Sequence, residues 1–129
     1  MASGLMAVAT ARAAADLLAP RFAKVEGEKL AVLYLDEEQR ALGVEDYDAA
    51  GPGTVDLPFR AIFKRALVLD AAGLVIAHNH PSGDPTPSEA DIHATRRLAA
   101  AAEALGIRLH DHLIFAGGDC TSFRALGLL

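Results

Sequence analysis

Two histidines, a serine and an aspartate at fixed offsets carry the clearest chemistry in this 129-residue sequence: His78-Asn79-His80, seven residues, Ser88, two residues, Asp91. At the end of a β-strand, residues two apart point to the same face, so both imidazoles are offered to one point. A tight loop then turns the chain, and Asp91 falls about one turn into the helix that follows. Two imidazoles and one carboxylate are a ligand set for zinc. Structural zinc sites are usually closed by four protein ligands, so three imply an open position for water, and hydrolysis. Such a cation lowers the pKa of water toward ~7 and polarises a carbonyl. A carboxylate must then move the proton to the leaving amine, and a donor must stabilise the tetrahedral oxyanion. Ser88, one turn before Asp91, is the candidate donor.

The elements that must hold these residues are legible around them. Leu74 to Ala77 is a short apolar run of the kind found in a central strand, and it leads directly into His78. Pro81-Ser82-Gly83-Asp84-Pro85 is a loop. Thr86, Pro87 and Glu89 form a capping-box pattern that predicts a helix from Thr86 to about Leu105, stopped by Gly106. Upstream, residues 5–19 predict a helix ended by Pro20. Leu30 to Leu35 and Arg40 to Glu45 predict a hairpin around a polar turn at Asp36–Gln39. Gly51-Pro52-Gly53 marks a loop, and Asp56 precedes a helix over Pro58 to Leu69 with Ile62, Ala66 and Leu69 on one stripe. Ile107 to Phe115 predicts the last strand. Gly117-Gly118 is a turn, and Ser122 caps a short terminal helix. The pattern is one α/β domain over residues 1–129 around a mixed sheet, with residues 1–24 contributing one N-terminal helix.

Composition narrows the partners. The formal net charge of −5 argues against nucleic acid, which needs a field of Lys and Arg facing the phosphates. Arg60, Lys64, Arg65, Arg96 and Arg97 read as solvated helix faces. The single cysteine, Cys120, excludes an internal disulfide and a thiolate-rich zinc site, and has no nucleophilic part in this reading. The stretch from Met1 to Ala19 carries Arg12 and Asp16 inside its apolar run, so it reads as neither signal peptide nor membrane span. A cytoplasmic protein is the expectation.

The spacing His78-x-His80, Ser88, Asp91 matches the signature of the JAMM (JAB/MPN) metalloproteases. The wider string HNHPSGDPTPSEAD (78–91), with TRRL (95–98), DHLI (111–114), LAVLYLD (30–36) and FKRAL (63–67), resembles the RadC family in particular. The resemblance covers roughly residues 25–129. It implies the JAB/MPN, cytidine-deaminase-like fold, a mixed curved β-sheet flanked by helices. It also implies one zinc ion per chain held by His78, His80 and Asp91, and a glutamate on an early strand as general base. Glu26, Glu28, Glu37, Glu38 and Glu45 are the candidates. Glu45, at the end of the second strand, is preferred; Glu37 and Glu38 belong to the hairpin turn. The implied substrates are peptide or isopeptide bonds near the C-termini of ubiquitin-like or sulfur-carrier proteins, and a homodimer is left open.

The chain departs from that family in two respects. RadC proteins commonly carry a helix-hairpin-helix module, and the residues before the first strand suffice for only one helix. The segment after Glu45, DYDAAGPGTVDLPFR, differs from the usual threonine-rich run. Two other functions compete with a zinc metallopeptidase: a DNA-repair-associated factor, and a metal-binding interaction module without turnover. His110 and His112 repeat the two-residue spacing and invite a second metal site. The RadC-like pattern instead makes Asp111 or His112 a residue that orients the sheet or loop near the first. His93 is expected to be exposed, and Asp84 to serve the turn.

Overall fold

Strand β3 (Gly73–Asn79) is buried along its whole length, which fits its continuous apolar run. The structure is a computed structural model and describes residues 10–23, 27–48 and 57–129. β3 lies at the centre of a five-stranded open sheet of order β2-β1-β3-β4-β5. The other strands are β1 (Lys29–Leu35), β2 (Ala41–Asp48), β4 (Arg108–Ala116) and β5 (Asp119–Ser122). β1 is antiparallel to both β2 and β3, β3 and β4 are parallel, and β5 returns antiparallel to β4. The sheet is therefore mixed, and the domain is α/β.

Alternation divides the core between two faces. Leu30, Val32, Tyr34, Leu74 and Ile76 meet helices α2 (Phe59–Val68) and α3 (Glu89–Ala104) through Ile62, Ala66, Leu98 and Ala102. Ala31, Leu33, Leu35, Val75, Ala77 and Leu113 meet α1 (Ala11–Leu18) through Ala14 and Leu18 on the other side. Burial of aliphatic side chains at about 25 cal/mol per Å² drives both contacts. The β1–β2 turn is held by Asp36, whose Oδ1 accepts from the backbone of Glu38 and Arg40, with Gln39 at φ 59°.

Three sequence expectations need correction. The long helix opens two residues later than the Thr86–Glu89 pattern suggests. Ser88 is the N-cap, and its partner in the capping box is Asp91. The sequence holds both patterns. Thr86 is instead drawn into the preceding turn, where its N–H donates to Asp84 Oδ1 at 3.0 Å. At the C-terminus, a strand stands where no strand was expected. Gly117 and Gly118 both adopt positive φ, the turn that joins hairpin strands, and β5 follows; the residues after Ser122 form turns rather than a helix. At the N-terminus, α1 ends at Leu18 and the chain continues through Pro20 as a 3-10 turn, Ala19–Phe22. Residues 5–9, Gly51-Pro52-Gly53 and Asp56 lie outside the described residues. No helix among the described residues is long and apolar enough to cross a membrane.

Candidate metal centre

His78 is the last residue but one of β3, on the face that meets α3. His80 follows just past the strand end, where its N–H still bonds Phe115 O of β4 at 3.0 Å. Pairing on both sides of β3 therefore holds the pair in place. The loop after it turns through Gly83, whose φ of +85° suits glycine, and leads into α3. Asp91 is the third residue of that helix. The Ser88 N–H donates to Asp91 Oδ2 at 2.9 Å, while Ser88 Oγ accepts from the Asp91 N–H at 3.0 Å. The capping box that starts the helix thus also fixes the carboxylate that faces the histidines.

The ligand atoms of His78, His80 and Asp91 all lie within 4.8 Å of one another. His78 Nε2 is 3.0 Å from His80 Nε2 and 3.4 Å from Asp91 Oδ1, and His80 Nε2 is 3.1 Å from Asp91 Oδ2. Asp91 is fully buried and His78 nearly so. His80 Nδ1 lies 2.8 Å from the carbonyl of Asp84, so Nδ1 carries the proton and donates it. That leaves Nε2 of His80 as a bare lone pair. Asp91 Oδ1 is buried with no hydrogen-bond partner. Burial opposes ionisation of Asp91, but the adjacent His78 and the hydrogen bonding with Ser88 outweigh it and hold the carboxyl below the usual carboxylate range. Acceptors crowd a buried space with an orphaned anionic oxygen. That arrangement asks for a cation, and two nitrogens with one carboxylate fit a divalent metal.

The four signature residues are therefore together, but in different roles. His78, His80 and Asp91 converge. The Ser88 oxygen serves the helix cap, and its O–H remains as a donor. Glu45 is not among the ligands. It lies on edge strand β2 opposite Val32, two strands from β3, and its Oε1 is 3.0 Å from Arg65 Nε. Glu37 and Glu38 occupy the exposed turn, and Glu26 lies outside the described residues. Glu28 has the better address. Leu30 pairs with His78 in antiparallel register; carried two residues further, that register sets Glu28 across from His80 on the same face. Asn79 supports this segment. Its side-chain amide donates to Gly27 O at 2.7 Å and accepts from the Lys29 N–H at 2.7 Å, bracketing Glu28.

Sequence reasoning gave Asn79 and Thr95 no part, and weighed Glu28 only as one of five glutamates. The register of β1 on β3 is the signal that separates them, and it is not visible in spacing alone. His112 touches the site: its Nε2 is 2.6 Å from His78 Nδ1. Burial first, then the nearby His78, keep the His112 imidazole well below its ordinary value. His93 is exposed on α3. Cys120 is exposed on β5, and its thiol is pushed up to about 11 by desolvation and then by Asp111, which makes it a poor nucleophile.

Comparison with known proteins agrees with this geometry. A family model described as RadC-like JAB domain matches residues 8–128. A UPF0758 protein of Rhodobacter capsulatus is 51% identical over 105 residues, 79% of this chain and 48% of its own length. The UPF0758 proteins YfjY and YeeS of Escherichia coli (strain K12) are each 40% identical over 124 residues, 96% of this chain, and 78% and 84% of their own lengths. The chain spans about half the length of the Rhodobacter relative and of one from Ruegeria pomeroyi. None of these names states a reaction.

Proposed function

The chain belongs to the RadC-like JAB-domain family, and from that premise we propose that it is a zinc-dependent metallopeptidase or isopeptidase. The observation that carries the proposal is the convergence of the His78 and His80 Nε2 atoms on the buried Asp91 carboxylate, whose Oδ1 has no hydrogen-bond partner. These three side chains would hold one zinc ion per chain. When bound, the cation supplies Lewis acidity toward a water and an amide carbonyl.

The remaining work falls to the chain. A carboxylate takes the proton of the attacking water and passes it to the departing nitrogen as the C–N bond breaks. Glu28, across from His80, is the better placed for this. Glu45 can serve only if it leaves Arg65. The Ser88 O–H is the donor available to the tetrahedral oxyanion. Asp91 and the histidine Nδ1 contacts keep the ligand set rigid through the cycle. The substrate class follows the resemblance: a peptide or isopeptide bond at the C-terminus of a ubiquitin-like or sulfur-carrier protein.

The first test is elemental analysis of the purified protein. We expect about one zinc per chain in the wild type and none in His80→Ala. A wild type without metal, even after incubation with zinc, ends the proposal. The second test compares Glu28→Gln and Glu45→Gln for amide hydrolysis with zinc still bound. The variant that loses turnover identifies the base. A zinc-loaded chain that cleaves no amide bond would instead be an interaction module, and a salt-sensitive gel shift would favour the DNA-associated reading.

A further inference from the structure

We propose that Thr95 and His112 are positioning residues that decide which nitrogen of His78 faces the cation. The proposal deepens the zinc reading above and rests on it for its metal arm. Neither residue is a ligand. Thr95 lies one helical turn after Asp91 on α3, and His112 lies on β4, the parallel neighbour of β3. Both are buried, at 1% and 0% exposure, so water cannot complete their hydrogen bonds.

The protons can be placed one by one. Thr95 Oγ1 is 2.6 Å from the carbonyl of Asp91, which can only accept, so the hydroxyl donates there. The same oxygen is 2.6 Å from His112 Nδ1, so it accepts, and Nδ1 of His112 carries a proton. An imidazole enclosed in the core holds a single proton. His112 Nε2 is therefore the acceptor in its 2.6 Å contact with His78, and His78 Nδ1 is the donor. This leaves the His78 Nε2 lone pair toward Asp91 and His80. The chain of bonds starts on the backbone of one ligand and ends on the ring of another, so it ties α3, β4 and β3 around the site.

His112 is itself well fixed. Its ring stacks on Phe123 with centroids 4.3 Å apart and planes 18° from parallel. Its N–H donates to Asp111 Oδ1 at 2.8 Å, and its carbonyl accepts from the Phe123 N–H at 3.0 Å. If Thr95 loses its hydroxyl, nothing holds the His112 proton on Nδ1. The proton is then better placed on Nε2, where it donates to His78 Nδ1 and drives the His78 proton onto Nε2, into the metal position.

Two measurements on the full chain test this. In the metal-free wild type, long-range ¹H–¹⁵N NMR should find the His78 proton on Nδ1; a proton found only on Nε2 overturns the proposal. Zinc competition against a chromophoric chelator should show Thr95→Val binding about 10- to 100-fold more weakly, the range for partners that orient a ligand. Thr95→Ser, which restores the hydroxyl, should return to near wild type. Folded Thr95→Val with wild-type zinc affinity and an unchanged His78 tautomer also overturns it. A wild type with the Nδ1 proton in place but no affinity for zinc would sink the metal reading while leaving this one standing. The wild-type tautomer requires no variant to fold, so it decides the question even if Thr95→Val does not.

Discussion

Two histidine pairs with the same spacing sit on neighbouring parallel strands, His78 and His80 at the end of β3, His110 and His112 on β4, and they meet opposite fates. β3 is regular up to its end, so His78 and His80 share a direction and reach Asp91. On β4 the register shifts: Leu74 pairs with Leu109, and Val75 already pairs with Asp111. His110 is the extra residue of that irregularity. His112 then turns into the core beneath His78, while His110 packs at the start of β3, where a Cβ on Gly73 would overlap its ring. The only His, Cys, Asp or Glu cluster able to hold a metal among the described residues is His78, His80 and Asp91. Spacing proposes a ligand pair. Strand regularity through the pair, and a carboxylate at the right distance beyond it, decide whether the pair forms a site.

The comparison is broken most directly at the ligands. Asp91→Ala and His78→Ala should each weaken zinc binding by well over the ~100-fold attributable to orienting partners, read by chelator competition. His110→Ala should leave affinity within about 2-fold, because nothing links its ring to the site. Comparable losses in both would erase the distinction. The next largest effect is at the residue that anchors the irregular strand. Asp111 is buried and accepts from the N–H groups of His112 and Arg124 and from the Ser122 hydroxyl, at 2.8, 3.0 and 2.6 Å. Asp111→Ala leaves those donors unpaired and should cost about 3 kcal/mol of stability, measured by urea unfolding in chelator. A smaller step is Gly73→Ala, which must displace the His110 ring. It should cost about 1 kcal/mol alone and less in a His110→Ala background, since the two groups touch. Full additivity in that cycle would mean the ring is not held there.

The convergence of His78, His80 and Asp91 was legible because spacing, strand alternation and helix entry all point to it from sequence. The same is true of the central strand, the hairpin at Asp36 and the long helix. What was not legible depends on alignment between distant segments. Glu28 gains its place only from the register of β1 on β3, and Glu45 is engaged in an ion pair with Arg65 of α2. The start of α3 was ambiguous because Thr86 and Ser88 both head a capping pattern. Asp84 resolves it by capturing the Thr86 N–H. β5 was missed because four residues carry little alternation, although the glycine pair before it is a hairpin signal.

The smallest effect is a change of pH dependence at His110. Burial, then the charges of Arg108 and Arg124, hold its imidazole below the ordinary histidine value in the folded chain. In the unfolded chain it titrates near ~6.5. Between those two values the unfolded state binds more protons than the folded state, so stability rises with pH through that window. Lowering the pH from above the unfolded value to below the folded one therefore costs the wild type stability that His110→Gln does not lose. The advantage of wild type over His110→Gln in urea should shrink as pH falls, with chelator present at every pH to keep metal from adding its own proton linkage. His112 is lowered by burial as well, but it is common to both proteins and cancels in the difference. A difference that stays constant, or grows in acid, would show that His110 prefers its proton in the fold. The two arginines beside it would then have to be turned away from its ring.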